Sequence, residues 1–327
     1  MDVTGRWLVT GSSGHLGEAL VRVLRERGGT VAGLDVAPSP TTDHVASVTD
    51  RAALADATAG VDHVLHTATL HKPHVGTHSR QAFVDVNVTG TLAVLDAARD
   101  AGVRSVVVTS STSAFGRALT PAPGEPAAWI TEDVAHRIRN VYGATKTAAE
   151  DLAELAAADG LPVVVLRTSR FFPEPDDRDE ARARYDDANL KAVEYLYRRV
   201  AIDDVVDAHL LAAARAPALG FARFVVSATT PFVEADREEL GRDAPAVVAR
   251  LFPELSRRFA ERGWMVPPAL DRVYVNTRAR TELGWSPRWD FPAAAGLALA
   301  EGHVLSPLAR VVGAKGYHDR PTGIYTR

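Results

Sequence analysis

The sequence predicts an α/β fold, a doubly wound parallel sheet with a smaller C-terminal lobe. Three observations point there. Short apolar runs alternate with helical stretches through the first half of the chain. The runs are apolar on both faces, as strands must be when helices cover both sides of their sheet. The first run, Trp7-Leu8-Val9-Thr10, opens onto glycines at Gly11, Gly14 and Gly17 and then onto a helix.

Taken in order, strands are expected at residues 7–10, 30–34, 61–66, 105–109 and 162–166, with helices at 16–27, 51–57, 83–101 and 142–158. After Leu166 the pattern changes. Residues 171–187 are rich in charge and proline, and 188–197 read as a helix. A short strand at 200–204 is expected to run into a helix at 205–214, with a further strand at 224–227. Residues 235–262 read as helical with breaks at Gly241 and Pro253, and 277–283 as a short helix closed by Gly284. The expected division is a dinucleotide-binding domain over 1–170, with later strands returning from about 198–230. A substrate-binding lobe, interleaved with it, takes most of 171–327. The end, 313–327, is either a frayed tail or an arm that packs elsewhere.

The glycine turn carries the first functional signal. Gly11 permits a tight turn, Gly14 lets backbone approach a pyrophosphate, and Gly17 lets helix and strand pack closely. A helix N-terminus adds unsatisfied N–H groups and a partial positive charge. Ser13, His15 and Leu16 complete the loop. Asp35 ends the second strand, where a carboxylate accepts from ribose hydroxyls and repels a 2′-phosphate. The expected cofactor is therefore NAD rather than NADP, held in a Rossmann-type site.

The bulk numbers narrow the remaining classes. The chain has 327 residues, 46% hydrophobic and 24% charged, enough for a large core. A net charge of -4 gives no reason to expect nucleic acid or an acidic membrane surface. With no cysteine, disulfides, thiolate catalysis and cysteine-bound metals are excluded. No apolar run reaches membrane-spanning length and no signal peptide is evident, so a cytoplasmic protein is expected. His63, His66, His71, His74 and His78 cluster, but Pro73 and Gly76 argue against a helix that would give them metal-ligand spacing, and no metal is expected.

Tyr142 and Lys146, four residues apart at the start of a helix, share one face. A free phenol titrates near ~10, and a neighbouring ammonium favours its ionised form, so the pair can make a base. The strand before it ends in Thr109-Ser110-Ser111-Thr112-Ser113, a source of hydroxyls for a substrate oxygen.

At this point the chain resembles the extended short-chain dehydrogenase/reductase family, in its nucleotide-sugar epimerase/dehydratase branch. The resemblance runs over nearly the whole chain. TGSSGHLG resembles the family's TGxxGxxG, NVTGT (87–91) its NVxGT, and YGATK its YxxxK. VVVTSSTSAFG (106–116) resembles its fourth-strand motif, in which the catalytic hydroxyl falls on Ser111. Leu166-Arg167, IDDV (202–205) and ARTELGWSP (279–287) follow in family order.

The resemblance implies a mechanism. Tyr142 takes the proton of a substrate hydroxyl as hydride passes to NAD, Lys146 holds the nicotinamide ribose and lowers the Tyr142 pKa, and Ser111 hydrogen-bonds the reacting oxygen. Thr67, Ala68 and Thr109 join the cofactor site, and Ser111 and Thr112 the substrate site. The implied function is an NAD-dependent epimerase of a nucleotide-activated sugar, working as a homodimer through the helices of 83–101 and 142–158. Dehydratases of the family carry an Asp-Glu pair after the catalytic hydroxyl, where this chain has Thr112 and Ser113.

Two departures concern the substrate. Arg170 replaces a common asparagine, and either clamps a phosphate or carboxylate or pairs with Glu174 or Asp176. The segment between Pro173 and Asp203 is short for a sugar-nucleotide enzyme, and Tyr197-Arg198-Arg199 stands in place of the usual RDF. Arg170, Arg198 and Arg199 form either an anion site or a solvated basic face. The alternative function is therefore a net NAD-dependent oxidoreductase on a smaller hydroxy or keto substrate. Trp264, Met265 and Pro267 either line the lobe or belong to its core, Arg278 and Arg280 sit at the pocket mouth or on the surface, and Asp50 touches adenine or caps a helix.

Overall fold

The computed structural model describes residues 3–315. The chain opens with β1 (Arg6–Thr10), α1 (His15–Glu26), β2 (Thr30–Asp35), β3 (His44–Val45), α2 (Arg51–Thr58) and β4 (His63–His66). A longer crossover follows through α3 (Arg80–Val84), a π turn (Asp85–Thr89) and α4 (Gly90–Asp100) to β5 (Ser105–Ser111). Then come β6 (Ala128–Ile130), α5 (Val141–Ala158) and β7 (Val163–Thr168). After α6 (Asp179–Arg184), α7 (Asp187–Glu194) and α8 (Ile202–Leu219), β8 (Phe221–Val226) completes the main sheet. The chain ends its described course with α9 (Arg237–Leu251), α10 (Pro253–Glu261), β9 (Arg272–Tyr274), α11 (Thr277–Glu282), α12 (Phe291–Glu301) and α13 (Pro307–Val312).

Seven parallel strands form the sheet, in the order β3-β2-β1-β4-β5-β7-β8. The chain moves outward from β1 in one direction and from β4 in the other. That reversal leaves a crevice beyond the carboxyl ends of the two strands. The continuous apolar runs are explained by burial from both sides. On one face Leu20, Val107, Val164, Val205 and Phe224 pack beneath α1 and α8. On the other, Leu8, Val106 and Val163 meet Leu54, Val94 and Ala153 of α2, α4 and α5. A further core, with Leu196, Phe232, Val247, Phe259, Val273 and Phe291, builds the lobe. There β6 and β9 pair in parallel, Trp129 beside Val273. No helix among the described residues is long and apolar enough to cross a membrane.

Several expected elements differ. The strand at 200–204 does not form. Helix α8 starts at Ile202 instead, with Asp203 and Asp204 in its first turn, where acids suit the helix dipole. The predicted helix of 83–101 contains a π turn at Asp85–Thr89. In the lobe the kink falls at Asp243 (φ -146°, ψ 67°), not Gly241, because Pro245 cannot donate to the preceding turn. Asp50 caps α2, accepting from Ala52 and Ala53 N–H at 3.1 Å each. Trp264 and Phe259 stack edge-on within the lobe core, and Met265 is 44% exposed. Neither Trp264, Met265 nor Pro267 lines the cavity described below. Arg278 turns to Glu282 (3.1 Å) and does not reach that cavity, and neither does Arg280.

Candidate active site

A cavity of about 980 Å³ lies over the crevice and runs from the glycine loop to the lobe. Gly11 sits at φ +74°, and a Cβ there would come within 2.6 Å of the Ala68 nitrogen. A Cβ on Gly17 would fall 1.9 Å from the Gly11 carbonyl oxygen. No side chain caps α1, so its first-turn N–H groups are left for a ligand. Asp35 stands opposite, accepting from the Ser13 and Ala37 N–H groups at 3.1 and 2.9 Å. Gly11, Ser13, Gly14, His15, Leu16, Gly17, Asp35, Thr67, Ala68 and Thr109 all line this cavity. A Cβ-free cradle at an uncapped helix start, faced by a carboxylate, fits a dinucleotide.

Behind the loop, polar side chains fix the strand ends. Thr91 donates to the Asn87 carbonyl (2.7 Å), so its oxygen accepts from His66 Nε2 (3.0 Å), leaving Nδ1 to accept from Thr10 (2.7 Å). Burial pushes the His66 pKa down to about 3, so the ring is a neutral connector. Asn87 accepts from Leu70 N–H (2.8 Å) and donates to Thr145 on α5 (3.1 Å). It ties the segment after β4 to the helix that carries Tyr142. The π turn falls around this residue, a distortion common at functional sites.

At the centre of the cavity, Ser111, Thr112 and Tyr142 face the same space. Asn140 caps α5 through the Gly143 N–H (2.9 Å), which fixes where the helix begins. Burial raises the Tyr142 pKa to about 12, opposed by a hydrogen bond with Ser111. The expectation that Lys146 lowers this pKa is therefore not met in the chain alone, because burial outweighs everything else acting on the phenol. Lys146 lies just behind, 3% exposed, and donates to the Thr109 carbonyl at 2.7 Å. Burial pulls its pKa down to about 8, with Glu150 acting the other way. Beneath them Arg167 makes a forked contact with Glu150 (2.7 to 3.1 Å), and Ser110 donates to the same carboxylate.

The lobe side corrects the substrate residues. Arg170 does line the cavity, but its guanidinium pairs with Asp176 (2.8 Å) and Glu194 (3.2 Å). Arg199 does not reach it. That side chain is buried against Glu194 (2.7 Å) and the Phe172 carbonyl (3.0 Å). The arginines that do arrive there beside Arg170 are Arg198 and Arg272, with Tyr274. Sequence reasoning missed Arg272 and Tyr274, whose position depends on the pairing of β6 with β9. Of the clustered histidines, His63 and His66 lie within the sheet. His71, His74 and His78 stack edge-on around a 3₁₀ turn at the cavity wall.

The final described residues also reach the cavity. Gly313 accepts from His15 Nδ1 (2.9 Å), the Lys315 N–H donates to Glu174 (3.4 Å), and Lys315 Nζ pairs with Glu18. Of the C-terminal end, left open between a frayed tail and a packing arm, residues 313–315 pack back against the cavity wall, and residues 316–327 lie outside the described part.

The chain is similar to several known proteins. The NAD dependent epimerase/dehydratase family matches residues 7–220. A UDP-glucose 4-epimerase of Mycolicibacterium smegmatis is 32% identical over 91% of this chain and 96% of its own. A 3-beta-hydroxysteroid dehydrogenase of Mycolicibacterium neoaurum is 35% identical over 45% of this chain and 42% of its own. The chain spans about half the length of this and similar curated relatives. Among solved structures, a short-chain dehydrogenase/reductase superfamily protein from Agrobacterium tumefaciens, with bound NAD, superposes with a TM-score of 0.64. It is 26% identical and covers 90% of this chain and 96% of that one.

Proposed function

Because the chain belongs to the NAD-dependent epimerase/dehydratase family of extended short-chain dehydrogenases/reductases, and is an NAD enzyme, we propose that it epimerises a nucleotide-activated sugar through a transient keto intermediate. The observation that carries this reading is that Ser111 and Tyr142 line one cavity that continues to the glycine loop. When bound, NAD supplies hydride acceptance and return, and in its oxidised form a positively charged ring. The rest falls to the chain. Ser111 holds the substrate oxygen against Tyr142, whose phenol takes and returns the proton. Lys146, held behind Tyr142 by the Thr109 carbonyl, is assigned to the nicotinamide ribose, and the positive nicotinamide ring is the charge that favours the ionised phenol. Thr112 and Ser113 carry no acid with which to expel water, which sets dehydration aside. Arg198 and Arg272 line the lobe side already paired with Glu194 and Asp271, so a substrate phosphate or carboxylate there competes with those acids.

A second reading is net oxidation or reduction of a smaller hydroxy or keto substrate. It is favoured by the engagement of Arg170 with Asp176 and Glu194, and by Phe171 and Phe172 in the cavity wall. In either case we propose a homodimer formed through α3, α4 and α5.

The test is incubation with NAD and a panel of nucleotide sugars, following NADH absorbance and sugar identity together. The expected outcome is an epimerised sugar with no NADH accumulation. Tyr142→Phe should lower turnover by at least about 10²-fold while NAD stays bound. Stoichiometric NADH with an oxidised product supports the second reading. Unchanged turnover in Tyr142→Phe refutes the role given to the phenol.

A further inference from the structure

We propose that Gly313–Lys315 belong to the dinucleotide site, with Lys315 supplying a positive charge to the cofactor's diphosphate. Helix α13 is anchored first. Ala309 and Val312 are buried in the core beneath α1 and α8, and Ser306 caps the helix through the Ala309 N–H (3.1 Å). Gly313, at φ +65°, ends it and turns the chain across the cavity. The turned segment is held on both sides. His15, within the glycine loop, donates to the Gly313 carbonyl at 2.9 Å, and Glu174 on the far wall faces the Lys315 N–H.

The charge argument is local. His15 is neutral at ordinary pH, because burial pushes its pKa down to about 4. Glu18, in the first turn of α1, lines the cavity and would repel a diphosphate. Lys315 pairs with that carboxylate, and Arg22 reinforces it at 2.7 Å. The other cationic side chains of the cavity wall answer acids of the lobe side. Lys72 pairs with Asp177, Arg170 with Asp176, Arg198 with Glu194 and Arg272 with Asp271. Lys315 is the one that stands on the phosphate-binding helix itself. It comes from 297 residues further along the chain than Glu18, outside every motif of the dinucleotide fold.

This rests on the NAD site and not on the identity of the sugar. Its failure therefore shows in cofactor binding, and failure of the epimerase reading shows in the sugar assay. The experiment compares Lys315→Met and Lys315→Arg with the unaltered protein, titrating NAD and, separately, adenosine, which lacks the diphosphate. Lys315→Met is expected to weaken NAD about tenfold and to speed its release to a similar degree. Adenosine should bind unchanged, and Lys315→Arg should keep NAD affinity within about twofold. Unchanged NAD affinity in Lys315→Met overturns the proposal. So does an equal loss for NAD and adenosine, which marks a disturbed fold rather than a missing charge.

Discussion

Single residues decide how charge is stored around this cavity. Burial alone would push the Glu194 carboxyl up, but Arg170, Arg199 and Arg198 outweigh it and bring the pKa down to about 2. Asp176 is held low by Arg170, the Arg178 N–H and Arg198, which outweigh its burial. The sign of the consequence follows. A carboxylate whose folded pKa lies below its unfolded one stabilises the fold above the unfolded value, and loses that contribution as pH falls toward the folded one. For Glu194 the window runs from 4.5 down to about 2. Urea midpoints across that interval should fall steeply in the unaltered protein and less in Glu194→Gln, whose side chain carries no charge to lose. A flat midpoint across the window would refute the account. The loop glycines, Asp35, Ser111 and Tyr142 were legible because each sits in a short local motif. Arg199, expected at the cavity, turns to Glu194, and its neighbour Arg198 takes that place. A difference of one position in an irregular segment leaves no periodic signal.

Between elements, Arg167 on β7 makes a buried, forked contact with Glu150 on α5. Glu150 lies one helical turn beyond Lys146, so this pair fixes the helix that presents Tyr142. The guanidinium also lies 4.7 Å from the Phe115 ring centroid. Arg167→Met should cost about 3 kcal/mol, because it leaves the buried Glu150 carboxylate with only Ser110 and, at 3.6 Å, Arg223. Chemical denaturation measures this directly, and a loss under about 1 kcal/mol would place the tie among surface pairs. The sequence displayed Leu166-Arg167 as part of a family pattern without its reason, since the partner lies 17 residues away on a different element. The sheet strands were easier, because two-sided burial writes a continuous apolar run. Strands β6 and β9 were not foreseen. Each has three residues, too few for any alternation to register.

For the molecule as a whole, Val84 and Leu92 are 39% and 36% exposed near α3 and α4, and Leu155 on α5 is 58% exposed. Apolar side chains left open on neighbouring helices suit a second copy of the chain. Light scattering should give twice the chain's mass, and Leu92→Glu combined with Leu155→Glu should give the mass of one chain. A single-chain mass for the unaltered protein would remove the dimer. The lobe has a different consequence. Its core gathers Ala127, the stretch from Ala188 to Ala201, that from Ala228 to Val273, and that from Phe291 to Val304, and the strands of its small sheet are more than a hundred positions apart. No single cut-and-paste of contiguous sequence can carry this lobe to another protein or replace it here. Reshaping the lobe must proceed by scattered point changes made together, each keeping faith with partners encoded far away.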